Sequence, residues 1–323
     1  MSAESSEMIR ILVPLDGSAL AEQAIGHAIA ISQVFSAELL LLRVVTETTG
    51  TPRDCIDWQL QRRQAAAYLE QVAERLRATG LRIRQSVDEG HAAEVISRFC
   101  RDQNVDLIVL CRFGRGGVTD FGRGSIAQKI IASAPASVLL VGPTPKADPT
   151  DVEVRYRRVM VPVDGTPGSE WAMAMGAMIA QPTGAELLMV QAIERPQLPA
   201  RMPMNQEIRE LSERMHHFIK REALRRLSEL KAQLPADLNV TTKVLVAGDI
   251  ARALHATAEA ADADLIVLSA HGKPGDHHWR YGSVCEPLLN HTMRPLLVFQ
   301  QCDVATASRF RNLYLAEPQA DAG

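Results

Sequence analysis

Two loops of small residues carry the chemistry open to this sequence. The first runs from Cys111 through Gly114, Gly116, Gly117 and Gly122 to Gly124-Ser125, and the second from Ser269 through Gly272 to Gly282-Ser283. Each follows the apolar run DLIVL, and each leads into a helix-forming stretch. Glycine admits positive φ and close backbone approach, and a helix entered from such a loop presents unpartnered N–H groups that favour an anion. The Ser125 hydroxyl can cap that helix or donate to a phosphate. Arg112, Arg115 and Arg123 add positive charge to the first loop, as His271, Lys273 and Arg280 do to the second. Far upstream of each loop stands an aspartate, Asp16 in VPLDGS and Asp164 in VPVDG. An ionised carboxylate only accepts hydrogen bonds, so it suits a base amine or a ribose hydroxyl better than a phosphate. It also reads as a cap of the turn that follows. Taken together, these residue types describe a nucleotide site.

The same pieces occur twice because the chain repeats itself. Asp16 and Asp164 stand 148 residues apart, and Ala37-Glu38-Leu39-Leu40 and Ala185-Glu186-Leu187-Leu188 keep that offset. From Gly114 and Gly272 onward the offset is 158, so the second copy carries ten extra residues, expected between Glu194 and Pro235. A period this long means two homologous domains rather than a solenoid. The expected boundaries are a first domain over 1–142, a linker over 143–156, a second domain over 157–300 and a polar tail over 301–323.

Each copy alternates strand and helix. In the first, strands are expected at Ile9–Leu15, Leu39–Val45, Leu81–Val87, Leu107–Cys111 and Val138–Val141. Helices are expected from Ser18 to Phe35 and over Asp57–Thr79, Ala92–Asp102 and Ser125–Ser133. In the second, strands are expected at Val159–Val163, Leu187–Ile193, Val240–Val246, Leu265–Ser269 and Leu296–Phe299. Its helices are expected at Gly168–Ala180, Asn205–Leu234, Ile250–Ala261 and Ser283–His291. Continuous Val/Ile/Leu strands separated by helices imply an α/β fold with a doubly wound parallel sheet covered on both faces. With strand order 3-2-1-4-5, the order reverses between strands one and four, and ligands bind beyond the carboxyl ends there. Asp16 and the Gly114 loop, and Asp164 and the Gly272 loop, both fall at such a switch point.

Composition narrows the function classes. Apolar residues make up 46% of the chain, charged residues 23% and aromatic residues 4%, with a formal net charge of −3. The charge argues against nucleic acid as a partner, and the scarcity of aromatics against single-strand stacking. No apolar run is long enough to span a membrane, and the first residues lack signal-peptide character. Five cysteines without a C-x-x-C pair fit a reducing cytoplasm. No motif of a dedicated catalyst stands out: there is no G-x-S-x-G, no H-E-x-x-H and no Walker A lysine. The adjacent pairs His216-His217 and His277-His278 do not share a helix face, so no metal site is expected.

The VPLDGS strand joined to the spaced glycines resembles the universal stress protein family in its tandem form, over nearly all of Ile9–Phe299. Members that bind ATP carry G-x2-G-x9-G-[ST] after strand four. Here Cys111 and Ser269 replace the first glycine, while the nine-residue spacing to Gly124-Ser125 and to Gly282-Ser283 is intact. The resemblance implies an adenosine pocket lined by Pro14 and Asp16, and by Pro162 and Asp164. It implies that the backbone of Val44 and of Ala192 reads the base. Around the phosphates it implies Cys111, Gly114, Gly124, Ser125 and Ile126 in one copy, and Ser269, Gly272, Gly282, Ser283 and Val284 in the other. The implied ligand is ATP with Mg²⁺, and the implied role is stress response or regulation, with slow hydrolysis at most. The implied architecture is an intramolecular pair joined through the last strands, Val138–Val141 and Leu296–Phe299, with a homodimer of the whole chain left open. The alternative is a scaffold that binds no nucleotide and acts through a protein partner. Lys273-Pro274-Gly275 stiffens the second loop and removes a donor, so the first site is expected to hold triphosphate better.

Overall fold

The computed structural model describes residues 8–46, 55–114, 125–133, 135–143, 154–194, 206–270 and 281–300. In the first copy the order is β1 (Arg10–Pro14), α1 (Ala19–Phe35), β2 (Glu38–Val45), α2 (Cys55–Leu76), β3 (Ile83–Glu89), α3 (Ala92–Asp102), β4 (Leu107–Cys111), α4 (Ser125–Ser133) and β5 (Ser137–Val141). In the second it is β6 (Arg158–Pro162), α5 (Pro167–Thr183), β7 (Glu186–Glu194), α6 (Gln206–Ala232), β8 (Val240–Ala247), α7 (Ile250–Ala260), β9 (Leu265–Ser269), α8 (Cys285–His291) and β10 (Leu296–Phe299).

The chain divides into two compact units, one built on the first copy together with the segment from Pro295 onward, the other spanning Tyr156–Arg294. In the first unit the strands run β3-β2-β1-β4-β5-β10. Strands β1 to β5 are parallel, in the expected order. β10 lies antiparallel on β5, with Leu296, Leu297 and Val298 opposite Leu140, Leu139 and Val138. It covers the edge that β5 would otherwise expose. The second unit holds the parallel strands β9-β6-β7-β8. α1 packs on β1, β2 and β4, α2 on β2 and β3, and α3 against α4, the arrangement that right-handed crossovers give with two helices on each face. Every residue of β4 and β5 is therefore buried, whereas the edge strands β3 and β8 keep exposed positions. Burying each such Leu, Ile or Val side chain contributes about 1.5–3 kcal/mol.

Both central strands are tied down at their first residue. Asp106, 2% exposed, accepts the Arg10 N–H at 2.9 Å. Asp264 accepts the N–H groups of Arg157 and Arg158 at 2.7 and 3.0 Å. The repeated aspartate of DLIVL is thus a fastening at the end of the sheet remote from the glycine loops.

Most elements end within two residues of the sequence expectation, and three of the differences have a clear local cause. β3 starts at Ile83, two residues late, because Gly80 closes the preceding helical turn at φ 71° and the chain needs Leu81-Arg82 to reach the sheet. It then continues to Glu89 because β2 offers partners as far as Val45. α5 does not stop before Pro182 but runs to Thr183. Proline near the end removes one N–H of the last turn, but the Thr183 hydroxyl adds a bond to Ile179 O at 2.9 Å, and Gly184 at φ 67° ends the helix with its N–H on Gln181 O at 3.2 Å. α8 begins at Cys285 rather than Ser283. The extra residues of the second copy lie partly in α6, which has 27 residues against 22 in α2. Among the described residues no helix is long and apolar enough to cross a membrane.

Burial lowers the pKa of His27, in α1, to about 4. The unfolded chain, with an ordinary histidine near 6.5, binds the proton first as pH falls. The stability this neutral histidine preserves is complete above pH 6.5 and is lost progressively down to pH 4. Urea unfolding followed between these values is expected to show a falling midpoint, and His27→Gln is expected to flatten that slope.

Candidate functional site

The carboxyl end of β1 is shaped by one turn. Pro14 pairs with Leu42, and Leu15 still donates its N–H to Leu42 O at 2.8 Å, so the strand leaves the sheet just before Asp16, two residues short of Val44 on β2. Gly17 takes φ 78°, and the N–H and hydroxyl of Ser18 both donate to Asp16 Oδ1, at 2.9 and 2.5 Å. Ser18 Oγ accepts from Ala21 N at 3.2 Å and so caps α1. Asp16 therefore shapes the turn with one oxygen. The other faces β4: a Cβ built on Gly114 would overlap Asp16 Oδ2 and sit 3.3 Å from Cγ. Strand one and the strand-four loop thus converge in the first unit, and a side chain at residue 114 would have to displace the Asp16 carboxylate.

Cys111, at the end of β4, is buried. Burial pushes its thiol pKa up, backbone N–H groups of Phe113 and Arg112 oppose this, and the Asp16 carboxylate adds to the rise. The sulfur stays protonated at neutral pH and is a packing group, not a nucleophile. Arg112 differs from the sequence expectation. It is 0% exposed and its backbone N–H donates to Val141 O at 2.7 Å, so it belongs to the packed interior rather than to a solvent-facing cationic rim. α4 opens at Ser125 with no acidic residue in its first turn, and Ile126 beside it is 44% exposed.

The second unit repeats the turn with altered surroundings. Asp164 Oδ1 accepts from Thr166 N at 2.9 Å and from Thr166 Oγ1 at 2.6 Å, and Gly165 takes φ 80°. Pro162 pairs with Val190, and Val163 donates its N–H to Val190 O at 2.9 Å, two residues short of Ala192 on β7. Ser269 ends β9, and Gly282 N–H is already engaged, donating to Ala270 O at 2.8 Å. Ser283 and Val284 precede α8, which has seven residues, no side-chain cap at Val284 and Glu286 in its first turn. An acidic residue there opposes an anion at the helix end. Gly124 and Gly272 lie outside the described residues, as do Arg115, Arg123, His271, Lys273 and Arg280.

Arg226 of α6 escapes sequence reasoning. It donates to Gly165 O at 2.9 Å, and its guanidinium occupies the place a Cβ on Gly165 would need. The one signal for it is positional: Arg226 corresponds to Tyr68 at the 158-residue offset.

A sequence model of the universal stress protein family matches residues 8–142 and again residues 155–300. A universal stress protein of Thermus aquaticus is 36% identical over 137 residues, covering 41% of this chain and 96% of that protein. One from Mycobacterium bovis is 25% identical over 330 residues, covering 92% of this chain and 96% of that protein. The crystal structure of a universal stress protein from Archaeoglobus fulgidus shares the fold, with a TM-score of 0.60 at 17% identity over 90% of this chain and 98% of that one.

The Gly114–Asp16 contact gives a direct test. Gly114→Ala forces the Asp16 carboxylate out of its turn, which is expected to cost about 1–3 kcal/mol in chemical denaturation. Gly248→Ala, where an added Cβ meets nothing within 4 Å, is expected to leave stability within about 0.5 kcal/mol.

Proposed function

Because the chain belongs to the universal stress protein family and carries its domain twice, we propose that it binds ATP with Mg²⁺ at the β1/β4 crevice. In this reading it acts in the cytoplasm in stress response or regulation, its nucleotide state being read by a protein partner. The observation that carries the reading is the approach of Gly114, in the loop that leads to α4, to the Asp16 carboxylate. Asp16 supplies acceptors suited to ribose hydroxyls or an amine, Val44 a backbone edge for a base, and the α4 N-terminus N–H groups for phosphate.

The first site is the stronger one in this proposal. Its helix has nine residues and a first turn free of acids. The second has a seven-residue helix with Glu286 in the first turn and a glycine whose N–H already has an acceptor. Those features favour a weaker triphosphate site or a different ligand in the second unit. Calorimetric titration with ATP and Mg²⁺ is expected to show one dominant site, lost in Gly124→Val and retained in Gly282→Val. Loss through the Gly282 change alone would reverse the ranking. Unchanged binding in the double variant would reject the crevice as the nucleotide site and leave the scaffold reading.

A further inference from the structure

The long helix α6 carries an apolar stripe that is left open to solvent. Leu211, Met215 and Phe218 are 62%, 44% and 55% exposed. Their spacing sets them in one line along the helix. At about 100° per residue, that line lies roughly a third of a turn from the buried face of Ala223, Leu227 and Leu230. Among the described side chains of residues 206–222 none is buried, and Ala223 is the first that is. More than four turns therefore gain little from packing, and a helix of that length is marginal by itself in water.

The stripe belongs to the second copy alone. Ala65, Leu69 and Val72 of α2 match Ala223, Leu227 and Leu230 at the 158-residue offset, so the counterparts of Leu211, Met215 and Phe218 are Arg53, Asp57 and Leu60. Two of the three positions are charged in the first copy, so the shared fold does not require the stripe.

Charge indicates what covers it. Residues 206–213 hold Glu207, Glu210 and Glu213 against Arg209, whereas residues 214–221 hold Arg214, Lys220 and Arg221 and no acid. The helix is acidic in its first two turns and basic in the next two, so its complement is its own reverse. In an antiparallel pair centred on Met215, residues equally far before and after it come level. Leu211 then meets Ile219, beside Phe218, and Glu210 meets Lys220, beside Arg221. Glu210 and Arg221 stand about three turns apart on one flank of the stripe, so they face each other across the pair, twice over by symmetry. Within the chain, Glu210 has the exposed partners Gln206 at 3.1 Å and Arg214 at 3.9 Å, and Arg221 lies over the Phe218 ring, 5.6 Å from its centroid.

We propose that this face of α6 is the contact through which two copies of the chain associate, antiparallel, with Met215 at the two-fold axis. One helix face is at the small end of specific interfaces, so the association is reversible and depends on concentration. An anionic lipid surface fits less well, because the acids of the first two turns oppose its headgroups. The contact is independent of nucleotide binding, since none of these residues belongs to either crevice.

The test is sedimentation equilibrium of the full chain at concentrations up to about 1 mM, the weak end of specific association. A reversible shift from the mass of one chain to that of two is expected. Met215→Glu with Phe218→Glu places a good helix former at two exposed positions. It is expected to leave circular dichroism unchanged and to weaken association roughly tenfold or more. Glu210→Arg is expected to weaken association as well, and adding Arg221→Glu to restore it, which general stickiness of the surface does not explain. The mass of one chain at every concentration, or association undiminished in the double glutamate variant, would overturn the proposal. Binding to phosphatidylglycerol vesicles that the same variant loses, with no change in mass, would assign the stripe to a lipid surface instead.

Discussion

Everything at the candidate site depends on the central strand of each unit being held at both ends by an aspartate. At the start of β1, Asp106 takes the Arg10 N–H, and beyond its end Asp16 takes the Ser18 N–H. β6 is treated alike by Asp264 and Asp164. Between these points the strand is hydrogen-bonded on both sides and buried, so its register cannot slip without turning apolar side chains outward. The consequence at the carboxyl end is positional. A carboxylate two residues past a fixed strand arrives at a fixed place, and the next strand over can bring a glycine against it.

That shared frame lets the two units differ where it matters. Substitutions at Tyr68/Arg226, Arg75/Gln233 and Arg43/Gln191 leave the buried positions around them untouched. They change the bonds made between the helices: Tyr68 and Arg75 meet Glu22 in the first unit, whereas Arg226 reaches Gly165 O in the second. The helices that end at the crevices diverge in the same manner. α8 is shorter than α4 and carries an acid in its first turn. Core packing preserves the backbone, and polar chemistry at the strand ends is free to vary.

The strands and their parallel order could be read from the sequence, because runs such as Leu39–Leu42 and Leu107–Leu110 are apolar without alternation and are separated by helices. Asp16 and Gly114 could be assigned to one switch point on the same grounds. Other features depend on pairs of residues far apart, and no local pattern reports them. The burial of Arg112, the reach of Arg226 to Gly165 and the internal closure of Glu22 by Tyr68 are of this kind. The continuation of α5 through Pro182 was hidden because the carbonyls of its last turn are met from beyond the proline, by the Thr183 hydroxyl and by the N–H groups of Gly184 and Ala185. The late start of α8 was hidden because Ser283 reads as a natural cap, yet α8 is capped by Val284, without a side-chain hydrogen bond.

β10 is encoded at the end of the second copy, yet it completes the sheet of the first unit. The dependence runs one way: the first copy, cut out at the junction, lacks a strand that its own unit uses, whereas the second copy contains all four strands of its unit. The chain always delivers one of each copy, in a ratio of one to one. An assembly of two identical subunits must accept every mutation twice, once in each symmetric position. Here a change at residue 191 or 233 falls on one unit alone. The tandem chain can hold two unlike binding surfaces on one ancestral plan and evolve each under its own selection.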